Sequence, residues 1–229
     1  MTTRTIAVVS AGLSQPSSTR LLADRLAAAA ERQLQEQGHD VVLETFELRE
    51  HAQSITNNLL TGFPSGDLRI VLDSVRGADA LIAVSPILSA SYSGLFKSFF
   101  DVLEPDALVG KPVLIAATGG TARHSLALEF ALRPLFAYLR ATVAPTGVFA
   151  ATEDWASGDV ASGDVASGAV GGGATNGGAT NGGVTSGLAA RIDRAAGELV
   201  GLLLGSSTPA PEDPFEDVTP FERLLAGDA

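Results

Sequence analysis

The chain contains no cysteine, which excludes a disulfide framework, a thiol nucleophile and a thiolate metal site. Redox chemistry would therefore need a bound cofactor. The only histidines are His39, His51 and His124, and no other side chains join them at ligand spacing, so no metal set is expected. Basic residues are also scarce. Lys and Arg number 15 against 26 Asp and Glu, a net charge of −11, with a pI near 4.6. Such a surface is expected to bind neither nucleic acid nor an anionic membrane, although an acidic global field leaves room for a local phosphate site. Long apolar runs are missing too, none approaching the ~20 residues that span a bilayer. The opening MTTRTIAVVSAG enters a strand pattern without the apolar core and cleavage region of a signal peptide. A cytoplasmic location is the expectation.

What is present is an alternation of strand and helix patterns over 229 residues, enough for one domain with decoration. Strands are expected at Ile6–Val9, Val41–Phe46, Ala80–Val84, Pro112–Thr118 and Thr142–Phe149. Helices are expected at Ser18–Glu36, in a short piece ending near Arg76, after Ser93, and at Arg123–Arg140. The run NNLLTGFPSGD, Asn57–Asp67, reads as a loop because of its turn chemistry. This βαβαβαβαβ order implies a parallel sheet covered on both faces with right-handed crossovers. A five-stranded flavodoxin-like α/β sandwich, strand order 2-1-3-4-5, fits the count.

The pattern breaks at residues 156–186, where ASGDV, ASGDV and ASGAV are followed by GGATN, GGATN and GGVTS. Pentads so poor in large apolar side chains cannot offset the entropy of ordering, and a flexible insertion is expected rather than a solenoid. Residues 1–155 and 187–204 then form a single domain, closed by a helix ending at Leu204 that lies beside the first helix. Residues 205–229 are a Pro-rich acidic tail carrying Phe215, Phe221, Leu224 and Leu225, a pattern suited to docking on a partner or on its own surface.

Three loops at strand ends carry the chemistry. In the segment Ser85–Asp101, SPILSASYSGLFKSFFD, Pro86 ends a buried strand. Ser89, Ser91 and Ser93 around Tyr92 offer hydroxyls and amides, and a helix follows with Leu95, Phe96, Phe99 and Leu103 facing inward. It reads as a seat for a flat, partly polar ring or as an ordinary strand-to-helix connection. The first loop, SAGLSQPSSTRLLA from Ser10 to Ala23, clusters hydroxyls at a helix N-terminus, where free amides and the dipole favour phosphate. Ser17 or Ser18 could instead simply cap the helix. Only Gly12 of a dinucleotide glycine pattern is present and there is no P-loop lysine, so a monophosphate is expected over a pyrophosphate. The third loop, ATGGTARHS, brings Thr118, Gly119, Gly120 and Thr121, either to the polar edge of a flat ligand or into a plain turn. In a 2-1-3-4-5 sheet these three loops are neighbours, and one phosphate loop with two ring loops makes a mononucleotide site that FMN fits. His124 reads as a capping or interface residue before a catalytic one.

SPILSASYSGLFKSFFD together with ATGGTARHSLALEFALRPLFAYLRA resembles the NAD(P)H-dependent FMN reductase family, which has a flavodoxin-like fold. More narrowly it resembles actinobacterial FMN reductases that partner luciferase-like flavin monooxygenases, and the related reductases of alkanesulfonate use. The resemblance runs over about Thr5–Trp155 and again from Gly187. It implies FMN with NADPH or NADH, a flavin-dependent monooxygenase partner, and a homodimer or homotetramer. By the same resemblance Ser17, Ser18 and Thr19, with Ser10 and Gly12, hold the FMN phosphate. Pro86, Ile87, Leu88, Ser91, Tyr92 and Ser93 contact the ring, and Thr118, Gly119, Gly120 and Thr121 take its other edge. Many relatives have serine where Gly12 stands, arginine near Ser14 and tyrosine where Leu88 stands. Phe130 sits where sulfonate-system relatives insert a tyrosine or histidine linked with a π-bulge at a subunit interface; it reads equally as a core residue beside Leu126 and Leu132. An FMN-bound quinone or azo-compound reductase, and a flavodoxin-like electron carrier, remain alternative readings.

Overall fold

The computed structural model describes residues 2–156 and 187–205. The expected insertion from 157 and the tail from 206 lie outside the described residues. Strands β1 (Thr3–Ser10), β2 (Asp40–Glu47), β3 (Ala80–Leu88) and β5 (Pro112–Gly119) run parallel, with β6 (Thr142–Val143) and β7 (Val148–Ala151) sharing the position beyond β5. The order β2-β1-β3-β5-β6/β7 is the expected 2-1-3-4-5 arrangement.

Period-two alternation along the buried strands feeds two cores. Ile6, Val8, Ile82 and Leu114 point to one face, under α1 (Ser18–Glu36) and α7 (Leu188–Gly205). Ala7, Val9, Leu81 and Ile115 point to the other, under α3 (Asp67–Gly77), α4 (Gly94–Asp101) and the segment 128–138. On α1, Leu22, Leu26 and Leu34 are completely buried, each contributing about 1.5–3 kcal/mol by removal from water. On the second face Phe96, Phe100 and Phe136 interlock with ring centroids 4.7–6.2 Å apart.

Five local expectations are corrected. Pro86 does not end β3, which continues to Leu88 and folds back through β4 (Ser91–Tyr92), so the serine-rich segment is largely a hairpin. Val84 accepts from the Ala11 amide on the β1 side, so Pro86, two residues on, turns its nitrogen to that same side, where β1 no longer pairs and a missing N–H is tolerated. Asn57–Thr61 is helical, as the last turns of α2 (Ala52–Thr61). Arg123–Arg140 is not one helix: a 3₁₀ turn (Ala122–His124) and a π-helix (Leu128–Leu132) precede α5 (Arg133–Tyr138). The last strand is interrupted around Pro145. Leu103 lies past the end of α4, half-buried against the core.

Candidate functional site

The carboxyl ends of β1, β3 and β5 converge. Ser10 is in register with Val84, Pro86 with Thr118, and the Ala11 amide donates to the Val84 carbonyl at 2.9 Å. All three loops therefore leave from one edge of the sheet, at the point where the strand order reverses about β1 and β3.

The loop after β1 turns back sharply onto α1. Gly12 has no room for a side chain, because a Cβ there would overlap Ser17 Oγ and lie 3.1 Å from Thr19 Cβ. Ser17 is the N-cap, its hydroxyl accepting from the Arg20 amide at 3.2 Å. Ser18 is exposed on the first turn, whose remaining amides face outward from the helix end. Thr19 is buried, and its hydroxyl meets that of Thr118 at 2.8 Å, tying the first loop to the third. Ser10 Oγ is buried with no hydrogen-bond partner among the described residues.

Charge around this loop is already matched. Arg20 donates to Asp24 at 2.7 Å and to Glu47 at 3.0 Å, and its pKa is raised chiefly by the Asp24 hydrogen bond. Arg49 is held by Glu47 at 3.0 Å and by Glu50 at 3.8 Å, and in the amide orientation that satisfies both sides Gln15 accepts from Arg49. The linked set Gln15, Arg49, Glu47, Arg20 and Asp24 borders the loop. Arg49 was missed in the sequence reading; its one signal was its place two residues past a strand end that neighbours β1.

The second loop is braced from inside. The buried Ser85 hydroxyl donates to the Pro86 carbonyl at 2.9 Å and accepts from the Ser93 amide at 3.0 Å, while Ser93 Oγ caps α4 through the Phe96 amide at 3.2 Å. Ile87 pairs with Tyr92 and Leu88 with Ser91. The two-residue turn puts Ser89 and Ala90 at φ of 50° and 66°, the left-handed geometry of a tight hairpin, which costs a non-glycine residue ~1 kcal/mol each. Strain of this kind concentrates at ligand clamps. Leu88 is exposed at the rim, and Tyr92 packs on Phe96 with centroids 5.8 Å apart.

In the third loop Gly119 is required by packing, since a Cβ would come within 2.8 Å of Phe149 Cζ. Gly120, Thr121, Arg123 and His124 are exposed. The π-helix that follows packs its Leu128 and Leu132 into the core and leaves Phe130 78% exposed, so Phe130 is no core residue. Arg133 braces it by donating to Glu129 at 2.6 and 2.9 Å, which holds the Glu129 carboxyl below its ordinary pKa, and to the Ala144 and Pro145 carbonyls.

The structure thus brings all three expected loops together. It assigns Ser17 to capping, Ser85 and Ser93 to bracing, and Thr19 with Thr118 to tying, leaving Ser18, the α1 amides, the hairpin rim and the Gly120–Thr121 backbone for a ligand. A phosphate group fits that first loop: a helix N-terminus, an exposed hydroxyl and a side-chain-free turn at Gly12. Among the described residues no group of three or more His, Asp or Glu could hold a metal, and no helix is long and apolar enough to cross a membrane. A pocket of about 280 Å³ lies elsewhere, among α2, α3 and the segment after α4, and none of the three loops lines it.

The sequence profile of the NADPH-dependent FMN reductases matches residues 4–156. The chain belongs to that family. It is 38% identical over 152 residues to the NADPH FMN reductase of Pseudomonas aeruginosa, covering 66% of this chain and 78% of the relative. It is equally 38% identical to an NADH-dependent FMN reductase of Pseudomonas putida, over 65% of this chain and 77% of the other. Among solved structures, an oxidoreductase of Corynebacterium diphtheriae superposes with a TM-score of 0.75 at 40% identity, covering 90% of this chain and all of that one. The apo form of an NADH:FMN oxidoreductase gives a TM-score of 0.66 at 25% identity, over 90% and 92% of the two chains. A WrbA-like flavodoxin from Agrobacterium tumefaciens, 13% identical with a TM-score of 0.51 over 89% and 98% of the chains, shares the flavodoxin-like fold. The NADPH-dependent FMN reductase family gives this chain its activity, an NAD(P)H:FMN oxidoreductase that uses FMN and takes its electrons from NADPH or NADH.

Proposed function

We propose that this reductase handles FMN as an exchanging substrate and supplies reduced FMN to a flavin-dependent, luciferase-like monooxygenase. The observation that carries this reading is the charge balance of the first loop. Arg20 and Arg49, the guanidinium groups beside it, are engaged by Asp24, Glu47 and Glu50, so the phosphate is gripped by amides and hydroxyls alone. A grip without a free bidentate cation is weaker and suits release.

In this reading the Ser18 hydroxyl and the backbone of Ser17, Ser18 and Thr19 at the start of α1 hold the phosphate, over Ser10 and Gly12. Pro86, Ile87, Leu88, Ser91, Tyr92 and Ser93 offer one wall to the ring, and Thr118, Gly119, Gly120 and Thr121 the other. FMN supplies the hydride-accepting chemistry when bound; the chain orients it and leaves one ring face open to the nicotinamide. No side chain is assigned as acid or base. The enzyme works in the cytoplasm as a homodimer or homotetramer, and residues 1–155 with 187–204 act as one FMN-binding domain.

The test follows NADPH and NADH oxidation by purified protein with and without excess FMN, after gel filtration. Oxidation that requires added FMN supports exchange. Protein that stays yellow through the column and turns over a quinone without added FMN would overturn it in favour of a tightly bound flavin.

A further inference from the structure

We propose that the pocket between α2, α3 and the segment after α4 binds a small zwitterion with an apolar body, of the class of the apolar α-amino acids. Its volume is about 280 Å³, at the lower end for ligand pockets, which admits a molecule smaller than a nucleotide. None of the three flavin loops lines it. The site is therefore separate from the one that serves the reductase reaction.

One stripe of a helix and two facing segments build the pocket. Arg69, Leu72, Asp73 and Arg76 follow the i, i+3, i+4, i+7 spacing that places side chains on one face of α3, while Leu68, Val71 and Val75 turn to the core. From Arg69 to Arg76 this stripe runs ~10 Å along the helix axis. Leu72 is joined by Val102, Leu103 and Ala107 from the segment after α4, and Leu72 and Leu103 pack on the second core. These four give an apolar wall that suits a hydrocarbon side chain.

The polar groups of the lining divide into those with partners and those without. Arg76 pairs with Glu104 at 2.5 Å, linking α3 to the segment after α4 and cancelling both charges. Arg69 and Asp73 stand four residues apart on α3, both exposed, and neither makes an ion pair or a side-chain hydrogen bond among the described residues. Asn58 lines the pocket while only 6% exposed. Its backbone carbonyl closes the end of α2 by accepting from the Gly62 amide at 2.8 Å, but its side-chain amide has no hydrogen-bond partner among the described residues. Buried amides are normally satisfied. What the lining leaves unmatched is thus a cation, an anion and an amide that both donates and accepts. A carboxylate meets Arg69 in the charge-assisted geometry guanidinium favours. An ammonium meets Asp73 and the partial negative charge at the end of α2, where Gly62 also lines the pocket. A plain acid would leave Asp73 unmatched and a plain amine would leave Arg69 unmatched, whereas a zwitterion satisfies both.

Calorimetric titration of the full chain with L-leucine and L-phenylalanine, beside 4-methylpentanoate and 3-methylbutylamine, tests this. At least one of the amino acids should bind saturably with a Kd of ~1 mM or tighter. The acid and the amine, each lacking one charge, should bind ~10-fold or more weakly. Arg69→Gln should reduce amino-acid affinity to the level of the amine, and Asp73→Asn should reduce it to the level of the acid. Both positions are exposed, so these chains keep the fold, which thermal unfolding checks. Asn58→Ala should weaken binding as well, and saturating FMN should leave it unchanged. No binding up to ~20 mM, equal binding of all four probes, affinity indifferent to both α3 variants, or displacement of the amino acid by FMN would each overturn the proposal.

Discussion

The hydroxyls of Thr19 and Thr118 meet at 2.8 Å across 99 residues of sequence, and both side chains are buried. This contact fastens the amino end of α1 to the carboxyl end of β5, so the loop assigned to phosphate and the loop assigned to the ring edge share one anchor. Replacing one partner leaves the other hydroxyl buried and unpaired, at a cost of ~1–3 kcal/mol. Thr19→Val should lower stability by that amount and raise the KM for FMN several-fold, with kcat at saturating FMN little changed. In the double variant Thr19→Val/Thr118→Val part of the loss should return. Additive losses in urea denaturation would show that the two hydroxyls act separately.

Gly12 and Ser17 compete for one space. A methyl at position 12 forces the Ser17 hydroxyl off the helix end, and losing an N-cap costs ~1 kcal/mol. Gly12→Ala should therefore destabilise the natural chain by about that much and weaken FMN binding. In a Ser17→Ala background the same substitution should cost clearly less. Chemical denaturation of the four chains, with FMN titration of each, reads both effects.

Lys111 couples stability to alkaline pH. The residue is only 7% exposed; its ammonium donates to the Arg76 and Ala78 carbonyls and has a pKa lowered to about 8 by burial, with Asp79 opposing the shift. Between about 8 and the ordinary lysine value the unfolded chain holds this proton and the folded chain does not. The unfolded state then binds more protons, so this residue's contribution to stability rises with pH across that window and is flat below it. Natural chain minus Lys111→Met should climb by ~3 kcal/mol in all from pH 8 to pH 10.5. A difference that stays level over this range would remove Lys111 as the cause.

Phe130 stands out of the π-helix with Leu126 and Tyr138 also exposed nearby. If it serves the proposed assembly, Phe130→Glu should leave monomer stability within about 0.5 kcal/mol while shifting the species seen by light scattering to a smaller mass. An unchanged mass would take Phe130 out of the interface.

Deleting 156–183 should leave reductase activity intact. The junction is already closed by described residues: Arg191 pairs with Asp154 and donates to the Phe149 carbonyl, and Asp154 accepts from the Ala151 amide at 2.8 Å. Loss of folding or turnover in the deletion chain would show a structural role for the repeats.

The sheet order was readable because each buried strand is a short apolar run between helix patterns, and a flavodoxin-like sheet is what such alternation most simply builds. Local chemistry decided the places where the reading failed. Asn57–Thr61 looked like a loop by composition, yet Thr56 and Thr61 return their hydroxyls to the Ala52 and Asn57 carbonyls, and Gln53 donates to Asn57. Side chains that usually compete with a helix are here spent along it. Pro86 looked like a terminator because sequence does not reveal that β1 stops pairing two residues earlier. At the site, the hydroxyl clusters were visible as clusters, but their division of labour was not. Whether a serine faces a ligand or caps a helix depends on one rotamer, and the pairing of Arg20 and Arg49 with Glu47 joins residues on three different elements.

The closed junction between Asp154 and Arg191 lies just past β7, and β7 ends level with Gly119 of the third loop. A guest protein spliced there would hang over the flavin loops without stretching the fold. If the guest were the proposed monooxygenase, the proposed passage of reduced flavin would change from a diffusive encounter between two proteins into a hand-over inside one chain, at an effective concentration set by two short tethers. The Asp154–Arg191 junction is thus a port through which this reductase could be wired to the proposed consumer of its flavin.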